Sequence, residues 1–375
     1  MLIIDWLIRL NSLTVHYTNE GVIPTSLLFD YQWKPGFYSL FLVSDSIAWC
    51  YFLFGVAILF SFFFTIGYFT RFSTLIVWIL LCSVHVRQPF VLQGGDELLR
   101  ITLFWCLFLP VAKKYSVDAI HSNKEEQGSA VFSAAGFGFM LLVFSVYFFS
   151  ALLKTSAEWQ SDGTAIYYAL SLDQMVLPIG KWLLQFPALC KILTHFVFWT
   201  ELIAPLLLVK PFMNPLFRTV GILLIVLMHI GIGSTLFVGL FFLVGISTAI
   251  GLLPSQAVNR IISRIPSFIK RNSGLLFFAR ILPSFNSMRN LMEKVLHSIR
   301  NFYTETILTF ALVFVICVCI IWNLGNIKGT GLTITGPFKR MVYFLRIDQN
   351  WGMFSPGVFK DDGWFILEGS AKDKK

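Results

Sequence analysis

Long runs of apolar residues recur along the whole of this 375-residue chain. A backbone inside lipid has no water to bond, so runs approaching 20 residues favour helices that span a bilayer. A shorter apolar segment at 1–13 precedes them. We therefore predict an all-α polytopic membrane protein with about eight to nine transmembrane helices. The long runs cover residues 46–67, 72–86, 98–112, 131–153, 189–209, 216–230, 235–253 and 306–324.

The composition excludes an ordinary soluble protein. Hydrophobic residues make up 56% of the chain and charged residues 13%, whereas a soluble domain carries about 25% charged residues. The net charge of +9 is interpreted as a sign of membrane topology. No basic groove with stacking aromatics is visible, so no nucleic acid partner is predicted. All six cysteines lie in or beside apolar runs, which predicts free thiols and no metal site.

Basic residues are concentrated in alternate connections between the apolar runs. The segment 254–303 contains eight lysines and arginines and one glutamate. The positive-inside rule predicts that this segment and the loop 113–129 are on the cytoplasmic side of a multi-pass membrane protein. Apolar residues at helical spacing within 254–303 predict basic amphipathic helices that lie on anionic membrane lipids.

The chain divides into two predicted regions. Residues 1–324 form a transmembrane helical domain, and residues 325–375 form an extracytoplasmic tail. Asp362-Gly363 favours a β-turn, so the tail is predicted to contain a short β-like element. It has too few strands for a core of its own, and we expect it to pack on the helices or on a partner.

A single lysine ends the apolar run 131–153. Lys154 is the first charged residue after that run, and Glu158 and Trp159 follow it. One interpretation is a lysine that extends to the membrane interface, with Trp159 in the aromatic belt. The other is a buried lysine whose neutral form acts as a base. The segment after it is either a lid over a site or an ordinary polar loop.

A charged turn with two glycines joins the runs 72–86 and 98–112. Asp96 follows Gly94-Gly95 and is placed to cap the next helix. Arg87, Asp96 and Arg100 are also expected to form an ion-pair network at the helix ends. The turn is predicted on the same side of the membrane as Lys154.

Three further titratable residues lie within apolar runs. Glu201 is costly inside a spanning helix, so it is either functional or a hydrogen-bonding group that fixes helix packing. His195 precedes it by six residues, about 240° around a helix, so the two do not form one local site. His229 is either a satisfied core histidine or part of a site near Lys154.

Four motifs together resemble the HTTM family, the membrane domains similar to vitamin K-dependent γ-carboxylase. The family also includes a bacterial maturation factor for a peptide toxin. The resemblance covers most of residues 1–365. The motifs are Tyr147-Phe148 with Lys154 and Trp159, Arg87 with Gly94-Gly95-Asp96, His229 before a glycine turn, and Gln349-Asn350-Trp351-x-Met353-Phe354-x-Pro356.

The resemblance implies a site on the extracytoplasmic side of the membrane. Lys154 falls on the family's base for oxygenation of a reduced quinone, and His229 is the nearest counterpart of a stabilising histidine. The large luminal domain of the animal enzyme has no counterpart here, so the resemblance carries the fold and site rather than the substrate. Residues expected to bind substrate around them are Arg87, Asp96, Glu158, Trp159, His195 and Glu201.

Three functions remain open from the sequence. The leading one is a membrane enzyme of the carboxylase or lyase type that modifies or matures a peptide or small molecule with a quinol-like or lipid-like co-substrate. The second is a non-catalytic maturation factor or scaffold for a secreted peptide, as in toxin maturation. The third is a transporter, in which Glu201 and His229 relay protons; no inverted repeat supports it.

Overall fold

A computed structural model describes residues 1–122, 133–209, 215–264, 273–282 and 302–360. Within these ranges the protein is helical and contains no β-strand beyond one isolated bridge between Val176 and Leu236. The helices are α1 Leu2–Leu10, α2 Leu13–Tyr17, α3 Thr25–Tyr31, α4 Ile47–Ile66, α5 Thr70–Arg87, α6 Gly94–Cys106, α7 Val117–Ser122, α8 Ala134–Leu153, α9 Ala157–Gln160, α10 Ala165–Leu170, α11 Pro178–Leu183, α12 Pro187–Val209, α13 Pro215–Thr235, α14 Phe241–Ile250, α15 Ser255–Arg264, α16 Ser273–Ile281, α17 Phe302–Gly325 and α18 Gly336–Phe344.

Six helices of the described ranges are long and apolar enough to cross a membrane: α4, α5, α8, α12, α13 and the part of α17 from Thr306 to Gly325. The helices α14 and α15 meet at a bend of 102° and add a seventh span if they are counted as one. The prediction of a helical membrane protein is therefore confirmed in outline.

The predicted eight to nine spans are not reached in the described part of the chain. The segment 1–13 gives the nine-residue α1, and the run 98–112 gives the 13-residue α6. The run 235–253 gives only the ten-residue α14. Ten helical residues rise about 15 Å, half of the roughly 30 Å hydrocarbon core. Apolar length in the sequence therefore overestimated helix length, because part of each run forms turns.

Five helices form a closed ring at one end of the molecule. In the ring, α8 packs on α12, α12 on α13, α13 on α14, α14 on α6, and α6 again on α8. The helices α4 and α5 pack beside the ring through α6, and α17 packs against α8. A continuous core of buried apolar side chains joins these helices, with Val146, Ile225 and Val244 among its most buried members.

The segment 254–303 is described only in part. Its described residues form the short helices α15 and α16, and α16 packs against α7. No residue of α15 is buried, in agreement with a surface helix. Residues 265–272 and 283–301, which carry most of the predicted amphipathic pattern, lie outside the described residues.

The tail after α18 packs on the helices, as expected. The Gln349 side chain accepts hydrogen bonds from Asn323 and from the indole of Trp351, each at 3.0 Å. Trp351 is fully buried. We call residues 349–360 the C-terminal strap. The predicted β-like element around Asp362-Gly363 lies outside the described residues.

Candidate functional site

A cavity of about 1520 Å³ opens at the end of the helical ring. Its walls come from α8, α12 and α13, with α10, α11 and the start of α14 on the side, and the C-terminal strap covers it. Most of the lining is apolar. The polar side chains in the wall include Lys154, Glu201, Ser150, Tyr147 and Gln93.

Lys154 is the first residue after α8, and its side chain turns inward. Its Nζ donates to Glu201 Oε2 at 2.5 Å and to Ser150 Oγ at 2.6 Å. It also lies over the Trp159 ring, 4.8 Å from the ring centroid. Only 2% of Lys154 is exposed. The interpretation of a lysine reaching out to the interface is therefore wrong, because every strong partner of the ammonium lies inside.

The partner of Lys154 explains the costly glutamate of α12. Glu201 is 7% exposed and has the lysine as its ion-pair partner, so the pair ties α8 to α12. Removing one member of a buried pair typically costs about 3–5 kcal/mol, since the other charge stays buried alone. The pair is thus a packing element that also forms part of the cavity wall.

A second polar pair stands beside the first. Tyr147 lies seven residues before Lys154, two helical turns away on the same face of α8. Its hydroxyl is hydrogen-bonded to His229 Nε2 at 2.8 Å. His229 is fully buried, and its ring packs 5.0 Å from the Phe241 ring centroid. His229 therefore lies behind the cavity wall and is connected to the cavity through Tyr147.

Gly245 leaves the space that the His229 ring occupies. A Cβ on Gly245 of α14 would collide with the imidazole of His229. The His229 Nδ1 has no hydrogen-bond partner among the described residues. Of the two ring nitrogens of His229, only Nε2 has a hydrogen-bond partner among the described residues, and that partner is Tyr147.

Trp159 and Glu158 hold the strap over the cavity. The Trp159 indole, in the cavity wall, donates to the Phe354 carbonyl at 2.8 Å. Glu158 pairs with Lys360 at 2.5 Å. The hydrogen bond from Lys360 lowers the pKa of the Glu158 carboxyl to about 2. The segment after Lys154 therefore lines part of the cavity and fastens the strap. Its interpretation as a lid stays a prediction.

Four residues predicted to bind substrate are absent from the cavity lining: Glu158, which fastens the strap, and Arg87, Asp96 and His195. Arg87 is buried and donates to the backbone carbonyls of Ile23, at 3.0 Å, and of Thr18. Asp96 accepts from Arg9 Nη2 at 2.5 Å. His195 packs against the backbone at Gly163. Arg87 and Asp96 thus hold the N-terminal segment against α5 and α6. His195 lies against the loop before α10.

The expected network of Arg87, Asp96 and Arg100 does not form. Arg100 instead donates to the Asp348 carbonyl at 2.7 Å and pairs with its carboxylate at 3.6 Å. Asp96 does stabilise the start of α6, but from inside the helix: its carboxylate accepts from the Gln93 backbone N–H at 2.7 Å. The charged turn is thus a structural junction between α6, α1 and the C-terminal segment.

Sequence reasoning missed Ser150 and Phe354 as members of the site. Ser150 precedes Lys154 by four residues, one helical turn, so its contact with the lysine was within reach of spacing rules. Phe354 was quoted only as part of a motif, and its role in covering the cavity depends on how the strap folds back.

Comparisons of the chain with family models, with curated proteins and with solved structures gave no match. The resemblance to the HTTM family stays a prediction from the motifs. In the part of the chain that the structure describes, no group of three or more histidine, cysteine or acidic side chains is placed to hold a metal ion.

Proposed function

We propose that this protein is a membrane enzyme that uses Lys154 as a base on an amphiphilic, quinol-like co-substrate held in the cavity, in order to modify or mature a peptide or small molecule. The observation that carries the proposal is the buried Lys154–Glu201 pair in the wall of a large apolar cavity. A buried ion pair beside open space is unusual, because charges are normally either solvated or tightly packed.

The size and lining of the cavity support a reduced quinone of the vitamin K type as the ligand. Its volume of about 1520 Å³ and mostly apolar lining suit an aromatic ring with an isoprenoid chain. The Lys154 amine, the Ser150 hydroxyl and Glu201 provide donors and acceptors for ring hydroxyls. When bound, such a quinol supplies an acidic O–H and the oxidation chemistry.

The chain's own residues manage one proton. Lys154 first passes its proton to Glu201 across the 2.5 Å contact, so that both groups are neutral. The neutral Lys154 nitrogen would then accept the hydroxyl proton of a bound quinol, with the O–H electron pair left on the ligand oxygen. The ammonium so formed would lie next to that oxygen and balance its charge. Trp159 and the strap exclude water above it.

The proposal places the site on the extracytoplasmic side of an inner membrane. It rests on the basic connections 113–129 and 254–303, which follow the ends of the helices opposite to the cavity. Single-cysteine labelling in intact cells tests it: a membrane-impermeant thiol reagent should label position 173 and leave position 114 unlabelled. The reverse pattern would contradict this orientation.

Ligand binding and ionisation test the proposed chemistry. Purified protein in lipid nanodiscs is titrated with a reduced naphthoquinone that carries an isoprenoid tail, and absorption reports the hydroquinone anion. We expect the wild type to ionise the bound quinol at a lower pH than free quinol. The variant Lys154→Met/Glu201→Leu removes both charges together and should lose this effect.

A matched control is the variant Lys181→Met/Asp173→Leu, which removes an exposed pair at 3.5 Å outside the cavity. It should bind and ionise the quinol as the wild type does. If the double variant of the buried pair retained the shifted ionisation, the base role of Lys154 would be wrong.

A non-catalytic maturation factor or scaffold for a secreted peptide is the second candidate. It is favoured by the number of partners that Lys154 has, since Glu201, Ser150 and Trp159 together act as a lock between α8 and α12. In that case the wild type would fail to bind the quinol, and the buried-pair variant would change stability alone.

A further inference from the structure

The helices α12 and α13 pack closely at Gly221 and line the cavity further along. At Gly221 of α13, an added Cβ would lie 2.9 Å from the Ala204 carbonyl oxygen of α12. At Gly231, about 15 Å further along α13, an added Cβ would meet no atom within 4 Å, and Gly231 belongs to the cavity wall. The walls that α12 and α13 provide therefore border open space beside Gly231, and we call this space the gap.

Residues of both helices beside this gap line the cavity and keep a large exposed fraction. Phe196 of α12 is 41% exposed and Leu227 of α13 is 57% exposed, and both belong to the cavity wall. Gly231 lies beside them and is exposed as well. Since α12 and α13 are apolar enough to span a membrane, an opening at this edge faces lipid chains.

The end of the cavity is closed by the chain itself. The strap covers it with backbone contacts, among them the Ser156 N–H to the Pro356 carbonyl at 3.1 Å. The Asn350 N–H is held by Glu97 at 2.9 Å, and the Trp159 indole holds Phe354. Entry from that end requires these bonds to open.

We propose that the gap between α12 and α13 is a side entrance through which a lipid-like molecule with one long apolar chain enters from the bilayer. Its small polar head stops at the Lys154–Glu201 pair, and its chain lies between Phe196 and Leu227. The inference rests on the proposed function for the head group and adds the chain, the route and the residues that select them.

The variant Gly231→Phe tests the route, because its ring fills the gap. The matched control is Gly55→Phe on α4: Gly55 is also an exposed helical glycine with no atom within 4 Å of an added Cβ, and it lies away from the cavity. Both variants replace a glycine of a spanning helix by phenylalanine. Equal melting temperatures of the two variants show that both are folded.

The probe is palmitic acid with a photoactivatable diazirine on its chain, incorporated into vesicles with the protein. We expect labelling of Phe196 and Leu227 in the wild type and in Gly55→Phe. In Gly231→Phe it should fall about tenfold, since displacing the ring costs energy typical of an overpacked site. Equal labelling in both variants, or none at the gap in the wild type, would overturn the entrance.

A second measurement separates this inference from the proposed function. The association rates of two reduced naphthoquinones, with and without an isoprenoid tail, are compared in the same variants. Slower binding of the tailed quinol alone in Gly231→Phe supports the entrance. If neither quinol binds the wild type while the fatty acid still labels the gap, the quinol function fails and the entrance stands.

Discussion

Two of the buried charged clusters in the described part of the chain differ in what surrounds them. In the first, Lys154 and Glu201 form part of the wall of a cavity of about 1520 Å³. In the second, Arg9 joins Asp5 at 3.0 Å to Asp96 at 2.5 Å, and Tyr17 accepts from the same guanidinium at 3.1 Å. None of these four side chains lines the cavity.

The comparison separates a charge that holds structure from a charge that is available to a ligand. The Arg9 guanidinium donates hydrogen bonds to Asp5, Tyr17 and Asp96, which lie in three different helices. Its cluster therefore acts as a junction between α1, α2 and α6. Lys154 is held just as closely, yet one side of its cluster is open space. Burial of a charge by itself is therefore a weak sign of function, and adjoining space is the better one.

The largest effect is expected at the packed cluster. Arg9→Met leaves Asp5 and Asp96 buried without their cation, and the free energy of unfolding should fall by about 3–5 kcal/mol. Unfolding of the detergent-solubilised protein by a denaturant measures it. Arg71→Met, at an exposed arginine of α5, should change stability little. If Arg9→Met lowered the free energy of unfolding only slightly, the interpretation of this cluster as the structural one of the two would be wrong.

A smaller loss is expected at the cavity cluster. Lys154→Met leaves Glu201 unpaired, but its carboxylate borders the open space of the cavity and is not enclosed by packed side chains on every side, so we expect a loss of about 2–3 kcal/mol, at or below the lower end of the range for fully buried pairs. Lys154→Met/Glu201→Leu should recover most of it. The same unfolding titrations give the coupling between the two positions. A double variant as unstable as the sum of its single variants would contradict the pairing.

A still smaller effect is expected behind the cavity wall. Gly245→Ala forces the His229 ring away from Tyr147, and the overpacking should cost about 1–2 kcal/mol. Gly55→Ala adds the same methyl group where nothing is near and serves as the control. Thermal melting compares the two. Equal melting temperatures would show that α14 moves aside and that the glycine is not needed for the histidine.

The smallest effect concerns the strap. The pKa of Glu158 is lowered from 4.5 to about 2 in the folded protein, chiefly by Lys360. A carboxyl with a lowered pKa contributes stability above its unfolded value, and the contribution is lost as the pH falls from about 4.5 toward 2. Hydrogen exchange of residues 354–360, corrected for its intrinsic pH dependence, should therefore rise a few-fold over that range.

A neutral variant and salt check the same contact. Glu158→Gln should raise strap exchange at neutral pH and remove its acid dependence, and high salt should do the same, because the pair is near the surface. Asp173→Asn alters the exposed pair with Lys181 and should leave the strap unchanged. If hydrogen exchange of the strap changed neither with pH nor in Glu158→Gln, the contacts of Trp159 and Ser156 would be sufficient to hold the strap over the cavity.

Local spacing predicted part of each cluster. Asp5 and Arg9 are four residues apart on one helical face, and they pair as that spacing predicts. Lys154 was found because it ends an apolar run. Its partner Glu201 is 47 residues away, and Asp96 is 87 residues from Arg9. Such pairings depend on how helices cross, and no local pattern encodes them.

The sequence by itself determined that this is a helical membrane protein, because apolar runs in lipid must satisfy their backbone hydrogen bonds internally. It also marked Lys154, Glu201 and His229 as costly residues in apolar surroundings. Only the tertiary structure decided that Lys154 and Glu201 meet at a cavity while Arg87, Asp96 and His195 lie elsewhere. The reason is physical: a charged side chain takes the nearest partner that helix packing offers, and that choice is made across helices, not along them.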